Sequence, residues 1–408
     1  MRVLHTADWH LGRKLEQFDR TEEHQDFLDW LIGTLTAEKI DVLIVAGDIF
    51  DSGSPSNTAL EQYYKFLSQV KDTCCRNVII IGGNHDSIST LNAPKELLRY
   101  FNVHIVGGVP DPIQDQVIPL YDENKELCLV VCAVPFLRDR DIRLSISGET
   151  GEEREARIKK GIVDHYRNLV EHITLHKSNN VPVIATGHLF AAGASTSEGV
   201  KDIHVGNLGQ VGGDQFPVEF NYIALGHLHR PQLVNKMDHV RYSGSPIPLS
   251  FSESDHGKVV IMIDFMEDGT VLTAEVKIPC CRRLIRLSGT LDNIRGQVLL
   301  LEDEGAPYPT WVELKIETNA FIPDLHEQLE ALKLQRPFIG HFFPRQLLIR
   351  PAQQLNELAE ATAALSDLDP TAVFIKKCES VFPGTDYSDL LSTFQEALEA
   401  MQQQEGQP

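Results

Sequence analysis

The chain has 408 residues, enough for two or three domains with substantial cores, and 42% hydrophobic with 23% charged side chains is the balance of a folded globular protein. No run of 18 apolar residues offers a membrane span, and the seven cysteines include the adjacent pairs Cys74-Cys75 and Cys280-Cys281 but no CxxC, which excludes a zinc ribbon or thioredoxin-like centre and fits reduced thiols in a cytoplasmic protein. A net charge of −21 argues against a protein that grips nucleic acid with its own basic surface.

In chain order, Arg2–Thr6 reads as a first strand and not as the apolar core of a signal segment. Glu22–Ala37 follows as a helix, with Phe27, Leu28, Leu31 and Leu35 at helical spacing. Val42–Ala46 is a second strand, and Asn57–Val70 a second helix in which Leu60, Tyr63, Tyr64 and Leu67 form a stripe. Further strands are expected at Val78–Ile81, Leu129–Val134, Val183–Thr186, Tyr222–Leu225 and Lys258–Asp264. This repetition predicts a layered α/β domain over residues 1–274.

The pattern changes near Pro279. Trp311–Thr318 alternates apolar and polar residues as a half-buried strand does, Pro323–Leu332 reads as a short helix, and Gln346–Arg350 as another strand. A small α+β domain over residues 275–350 is therefore expected. Residues 351–408 hold two basic and ten acidic side chains and read as helical, with Asp369-Pro370 as a helix start. There Leu391, Phe394, Leu398 and Met401 recur at helical spacing, a stripe that needs a partner surface on this chain or another.

The chemistry clusters just beyond the strand ends. Asp8 and His10 follow the first strand, Asp48 and Asp51 the second, and Asn84, His85 and Asp86 the third; His188 follows a fourth, and His227 and His229 a fifth. Ligands gather outside the carboxyl ends of strands in α/β sheets, so five strand ends are expected to converge on one site. Glycines 47, 82, 83, 187 and 226 precede most of these residues and are read as turning the backbone sharply. Two aspartates, one asparagine and four histidines suit borderline divalent ions, and they are too many for one ion that keeps an open position. Each fragment alone is more often an ordinary turn; all five in order predict a two-metal centre. His5, inside a strand, is read as core or as backing to the site, and the remaining histidines as structural.

These motifs, in this order, resemble those of the calcineurin-like metallophosphoesterases. That resemblance implies a four-layer β-sandwich flanked by helices, with a small α+β capping domain and C-terminal helices. It implies one ion held by Asp8, His10, Asp48 and His229, and another by Asn84, His188 and His227, with Asp48 bridging. His85 would stand outside the ligand set, protonating the leaving oxygen. The runs His5–Gly12, Gly47–Pro55, Gly83–Ser87, Ala185–Leu189 and Arg241–Phe251 are similar to those of the SbcD nucleases. This narrower likeness implies a Mn²⁺-dependent double-strand exonuclease and hairpin endonuclease of DNA repair. Its residues 275–350 would border the DNA, and its residues 351–408 would dock on an SbcC-type coiled-coil ATPase. It would be a homodimer within a heterotetramer, with the 57–70 stripe or the neighbouring helix at the dimer contact. Archaeal and eukaryotic relatives carry histidine where this chain has Asp51, whose role, orienting His85 or shaping the site, stays open. The rival expectations are a small-substrate phosphodiesterase or phosphatase of the same superfamily and a non-catalytic scaffold. The arginines among residues 138–157 read as a solvated charged face at least as readily as a DNA contact.

Overall fold

Strands written as unbroken apolar runs, such as Val42–Ala46, have both faces buried, and this sets the architecture. The computed structural model describes residues 1–142, 150–173, 181–191, 211–254, 257–319 and 321–348, with isolated helical positions between 374 and 394. Its elements begin β1 (Arg2–Thr6), α1 (Thr21–Ala37), β2 (Val42–Ala46), α2 (Asn57–Val70), β3 (Asn77–Ile81), α3 (Ile88–Asn92), α4 (Lys95–Arg99) and β4 (Val103–Val106). Next come β5 (Val117–Tyr121), β6 (Leu127–Cys132), α5 (Asp139–Ile142), α6 (Gly151–Ile173), β7 (Val183–His188), β8 (Tyr222–Gly226), β9 (Gln232–Val234) and β10 (Met237–Tyr242). The rest are β11 (Val259–Phe265), β12 (Val271–Lys277), β13 (Arg282–Gly289), α7 (Leu291–Leu300), β14 (Tyr308–Thr318), α8 (Leu325–Lys333) and β15 (Ile339–Leu348).

Two six-stranded sheets face each other, ordered β12-β11-β1-β2-β3-β4 and β5-β6-β7-β8-β10-β9. In the first, β1 to β4 run parallel, with β11 antiparallel to β1. In the second, β6, β7, β8 and β10 run parallel. The period of two along each strand sorts its side chains between layers. Val42, Ile44 and Ala46 of β2 join Ile184 and Tyr222 between the sheets. Leu43 and Val45 point the other way, into a core with Phe27, Leu31 and Phe66 of α1 and α2. Val183 and Ala185 of β7 meet Ile162, Tyr166 and Leu169 of α6 on the far side. The result is helix, sheet, sheet, helix: a mixed sandwich flanked by helices.

Several elements depart from the sequence reading. On α2 the face toward the core is Ala59, Gln62, Tyr63, Phe66, Leu67 and Val70, rotated from the expected stripe, so Tyr64 stays exposed. Helix α6, the longest described, was not anticipated; its buried residues, Ile158, Ile162, Val163, His165, Tyr166, Leu169 and Ile173, are diluted by a strongly charged outer face. The strand expected at Gln346–Arg350 begins already at Ile339 and is described as far as Leu348, residues 349–350 lying outside the described residues. Pro344 hides it from a sequence pattern, and is tolerated because β15 is the edge of the three-stranded sheet β13-β14-β15. His5 is a core residue, its Nδ1 3.1 Å from the Tyr222 hydroxyl.

Residues 282–346 form a small α+β layer whose core joins Ile294 and Val298 of α7, Leu325 and Leu329 of α8, and Val312 and Leu314 of β14. It meets the sandwich through Leu15, Phe251, Leu284, Trp311 and Phe343. A buried polar strut lies alongside. Arg20 pairs with Glu23 and bonds the Pro248 carbonyl, while Arg282 donates to Glu23 at 2.8 Å with its guanidinium 4.1 Å over the Trp311 ring.

The C-terminal unit, Thr318–Phe321 with Leu347–Pro408, lies almost wholly outside the described residues, and with it the expected Asp369-Pro370 helix start and most of the 391–401 stripe. Within it the rings of Phe374 and Phe394 stack at 4.1 Å. Among the described residues no helix is long and apolar enough to cross a membrane.

Candidate metal centre

Parallel strands put their carboxyl ends on one edge, and here both sheets do so side by side. Asp8 and His10 leave β1, Asp48 leaves β2, Asn84 and His85 leave β3, His188 ends β7, and His227 and His229 leave β8. The backbone is strained at this edge: Asp8, His10, Asp48 and His227 all take positive φ (54°, 46°, 50° and 99°), which is unusual for side chains with a Cβ and gathers at functional sites. The sharp turns are thus carried by the polar residues themselves. Of the five glycines expected to turn the chain, only Gly47 has positive φ. Gly226 instead permits close approach, since a Cβ there would collide with the Ala46 carbonyl oxygen and force the sheets apart.

Backbone bonds lash the loops together. Asp8 N–H donates to Gly47 O at 3.0 Å, His10 N–H to Asp48 O at 3.0 Å, and His227 N–H to Asp8 Oδ1 at 2.8 Å. The Asp86 carboxylate accepts from the amides of Ile49, Phe50 and Gly83, joining the loops after β2 and β3. Asp86 therefore shapes the edge from beneath.

Donor atoms of Asp8, His10 and His229 lie within 4.8 Å of one another, as do those of Asp8, Asp48 and His188, and those of His10, Asp51 and His85. Asn84 joins the second group through its Oδ1, 3.0 Å from His188 Nε2 and 3.2 Å from His227 Nδ1. All seven expected donors thus reach one edge, with Asp48 and Asp8 central. Asp8 Oδ2 and His10 Nε2 are buried without a hydrogen-bond partner. Buried polar atoms are ordinarily paired, so these two fit a cation better than a closed protein network.

The charges agree. Burial pushes Asp8 up to about 6, with Asp48 adding to the rise. Burial acts on Asp48 in the same direction, but His188, His10 and His85 outweigh it and hold its carboxyl well below the usual range. His188 is raised to about 9: burial opposes its charge, and Asp48 and Asp8 prevail. Burial lowers His10 and His227, which favours the neutral imidazoles that bind metal.

Asp51 lies between two histidines. Its carboxylate is 3.4 Å from His10 Nδ1 and accepts from Arg13 at 2.9 Å, while its main-chain carbonyl is 2.7 Å from His85 Nδ1. A carbonyl can only accept, so Nδ1 of His85 carries the proton there.

The sequence reading missed a buried group under His229. Its Nδ1 is 3.2 Å from Glu253 Oε1, and Glu253 Oε2 meets Lys258 Nζ at 2.5 Å and the Leu249 amide at 3.2 Å. Burial alone would raise the Glu253 carboxyl, but Lys258 and His229 outweigh it and bring it to about 2. Neither residue sits in a strand-end motif, and the only hint was the Arg241–Phe251 run that wraps them.

Carboxylates, an amide and imidazoles from two sheets, with cation-ready oxygen and nitrogen left over, are the equipment of hydrolases that open phosphate esters with two divalent ions. The family model for calcineurin-like phosphoesterases matches residues 1–231, over half of the sequence, and the chain belongs to that family. A second model, described as the type 5 capsule protein repressor C-terminal domain, matches residues 280–382. The chain is 35% identical over 381 residues to the SbcD subunit of the SbcCD nuclease of Escherichia coli K12, covering 92% of each. To the protein of the same name in Bacillus subtilis 168 it is 32% identical over 350 residues, 84% of this chain and 85% of that one. The Rhodobacter capsulatus counterpart is 36% identical over 275 residues, 65% and 66% of the two chains. By these measures it is a metal-dependent phosphoesterase of the SbcD nuclease type.

Proposed function

We propose that the chain is the nuclease subunit of an SbcCD-type DNA repair complex, cutting DNA phosphodiesters from double-stranded ends and at hairpins in the cytoplasm. The observation that carries this is the convergence of seven oxygen and nitrogen donors on one edge, in two groups that share Asp8, whose Oδ2 is buried without a hydrogen-bond partner. In this reading Asp8, His10, Asp48 and His229 hold one Mn²⁺, and Asn84, His188 and His227 the other, with Asp48 between them. When bound, such ions activate water and neutralise charge on the phosphate oxygens. His85, its Nδ1 tied to the Asp51 carbonyl, offers Nε2 for handing a proton to the departing sugar oxygen. The Asp51 carboxylate braces His10 against Arg13.

A cleft beside the site supports a long polyanionic substrate. It is lined by Arg13 and Lys14 of the sandwich and by Arg286 and Arg345 of the small domain, with Glu16, Asp51 and Glu313 among them. Arg345 bonds Glu16 at 2.6 Å and Arg286 bonds Glu313 at 2.5 Å, so a phosphate backbone would compete with the protein's own acids for these cations. Residues 275–350 would thus cap and border the DNA. With a net charge of −21, the chain would take much of its DNA affinity from a partner, the SbcC-type ATPase, docked on residues 351–408. A homodimer is supported by Leu97, Tyr100 and Phe101, exposed on and after α4, and by the exposed Tyr64 of α2.

The test is cleavage of end-labelled duplex and hairpin DNA by the purified chain with Mn²⁺, against para-nitrophenyl phosphoesters as small substrates. DNA cutting that disappears with chelator and in His85→Ala supports the nuclease. Hydrolysis of the small esters alone, even with the ATPase and ATP added, replaces it with a small-substrate phosphodiesterase.

A further inference from the structure

The run Ser243–Phe251 has a job that the metal donors do not explain. It folds over the buried Glu253–Lys258 pair, which is seated directly behind His229. Lys258 Nζ donates to the His229 carbonyl at 3.0 Å and to Ser245 Oγ at 2.8 Å, while Ser245 N–H donates to the same carbonyl at 3.2 Å. Glu253 takes the His229 ring, the Leu249 amide and the Ser245 hydroxyl. Gly244 makes the close approach possible: it has φ +75°, and a Cβ there would lie 2.8 Å from the His229 carbonyl oxygen. Both the backbone and the ring of His229 are therefore gripped by one ion pair, and Glu253 and Lys258 side chains are 2% and 7% exposed.

We propose that Glu253, with Lys258 as its counter-ion, is a positioning residue for His229, fixing which ring nitrogen faces the metal and how firmly the ring is held there. This rests on the reading that His229 is a metal donor. A carboxylate only accepts, so the proton of His229 is kept on Nδ1 and its lone pair left on Nε2, in a ring that has a nitrogen within 4.8 Å of donor atoms of Asp8 and His10. A carboxylate behind a metal-binding imidazole also makes the ring a stronger donor, and losing such a partner typically weakens metal binding by about 10- to 100-fold. The other histidines at this edge are backed differently. His188 Nδ1 meets the Ala46 carbonyl at 3.0 Å, and His10 Nδ1 faces the partly exposed Asp51. Of these three Nδ1 partners, only that of His229 is a buried carboxylate.

Removing one charge of a buried pair strands the other, so the decisive variant removes both: Glu253→Leu with Lys258→Met, which roughly keeps size while leaving no unpaired ion and no acceptor for the His229 ring. Mn²⁺ binding to the full chain, followed by equilibrium dialysis, is compared with wild type and with His229→Gln, and urea midpoints verify folding. The expected result is one Mn²⁺ position weakened about 10- to 100-fold in the double variant while the other is kept. Excess Mn²⁺ then restores turnover on hairpin DNA with an unchanged KM for DNA. An isotherm identical to wild type in the folded double variant overturns the proposal, provided His229→Gln weakens binding. If His229→Gln also leaves the isotherm unchanged, the metal-donor reading of His229 fails and this inference falls with it. A double variant whose lost turnover excess Mn²⁺ does not restore overturns the positioning role too, since its defect would lie elsewhere.

Discussion

The main-chain amide of His85 donates to Oδ1 of Asp48 at 2.8 Å. Because the bond is made by the backbone, it survives any change of the His85 side chain. The proposed acid and the central carboxylate are thus separable by mutation. His85→Ala should keep two Mn²⁺ per chain by elemental analysis while turnover falls about 10²- to 10⁴-fold. Loss of metal from this variant would mean that His85 is a donor and not the proton carrier.

Asp48 is the opposite case. Its Oδ2 lies 3.5 Å from His10 Nε2 and 3.3 Å from His188 Nε2, facing both donor groups at once. Asp48→Ala should therefore weaken both proposed metal positions together when the chain is titrated with Mn²⁺. Retention of one ion at wild-type affinity would rule out a carboxylate shared between them.

Acid should loosen the fold before the ordinary carboxylates titrate. Burial lowers His24 and His165 to about 4, and His165 Nε2 is held 3.0 Å from the Gln116 side chain. Folded-state values below the ordinary 6.5 mean that the unfolded chain binds more protons between pH 6.5 and 4. The contribution is fully present above pH 6.5 and is lost as pH falls toward 4, at about 1.4 kcal/mol per pH unit for each proton. In urea unfolding with chelator present, His165→Gln should flatten this slope by one proton. An unchanged slope would show that His165 is not the group responsible.

The strut under the small domain makes a stability prediction. Glu23 receives both Arg20 and Arg282 in a buried setting, and cutting one partner of such a network costs about 3–5 kcal/mol. Glu23→Gln should lower the urea midpoint and speed amide exchange across β13, β14 and β15 more than across β2 and β3. Equal exchange in both regions would show that the strut does not hold the small domain.

Much of this was legible in the sequence because the chemistry is local. Asp8, Asp48, Asn84, His188 and His227 each stand just past an apolar run, and a strand buried on both faces is easily seen. Edge and charged elements were not. Helix α6 hides its core stripe behind a charged face, and β15 contains Pro344. The phase of α2 was missed because Leu60 and Tyr64 look as apolar as Ala59 and Phe66, and only the packing against α1 and the sheet chooses between them. Glu253 and Lys258 were invisible for another reason. A carboxylate and an ammonium five residues apart look like ordinary surface charges until His229 is placed between them.

The spread of the donors along the chain has a consequence for biosynthesis. They run from Asp8 to His229, and β1, which carries the first two, gains its second neighbour only when β11 pairs with it. On the ribosome, a nascent chain shorter than about 229 residues lacks the last donor by simple order of translation, and the brace at Lys258 comes later still. The centre is thus withheld from every product that stops short of His229. Translation products of this chain truncated before His229 should be inert toward nucleic acid without any inhibitor to keep them so.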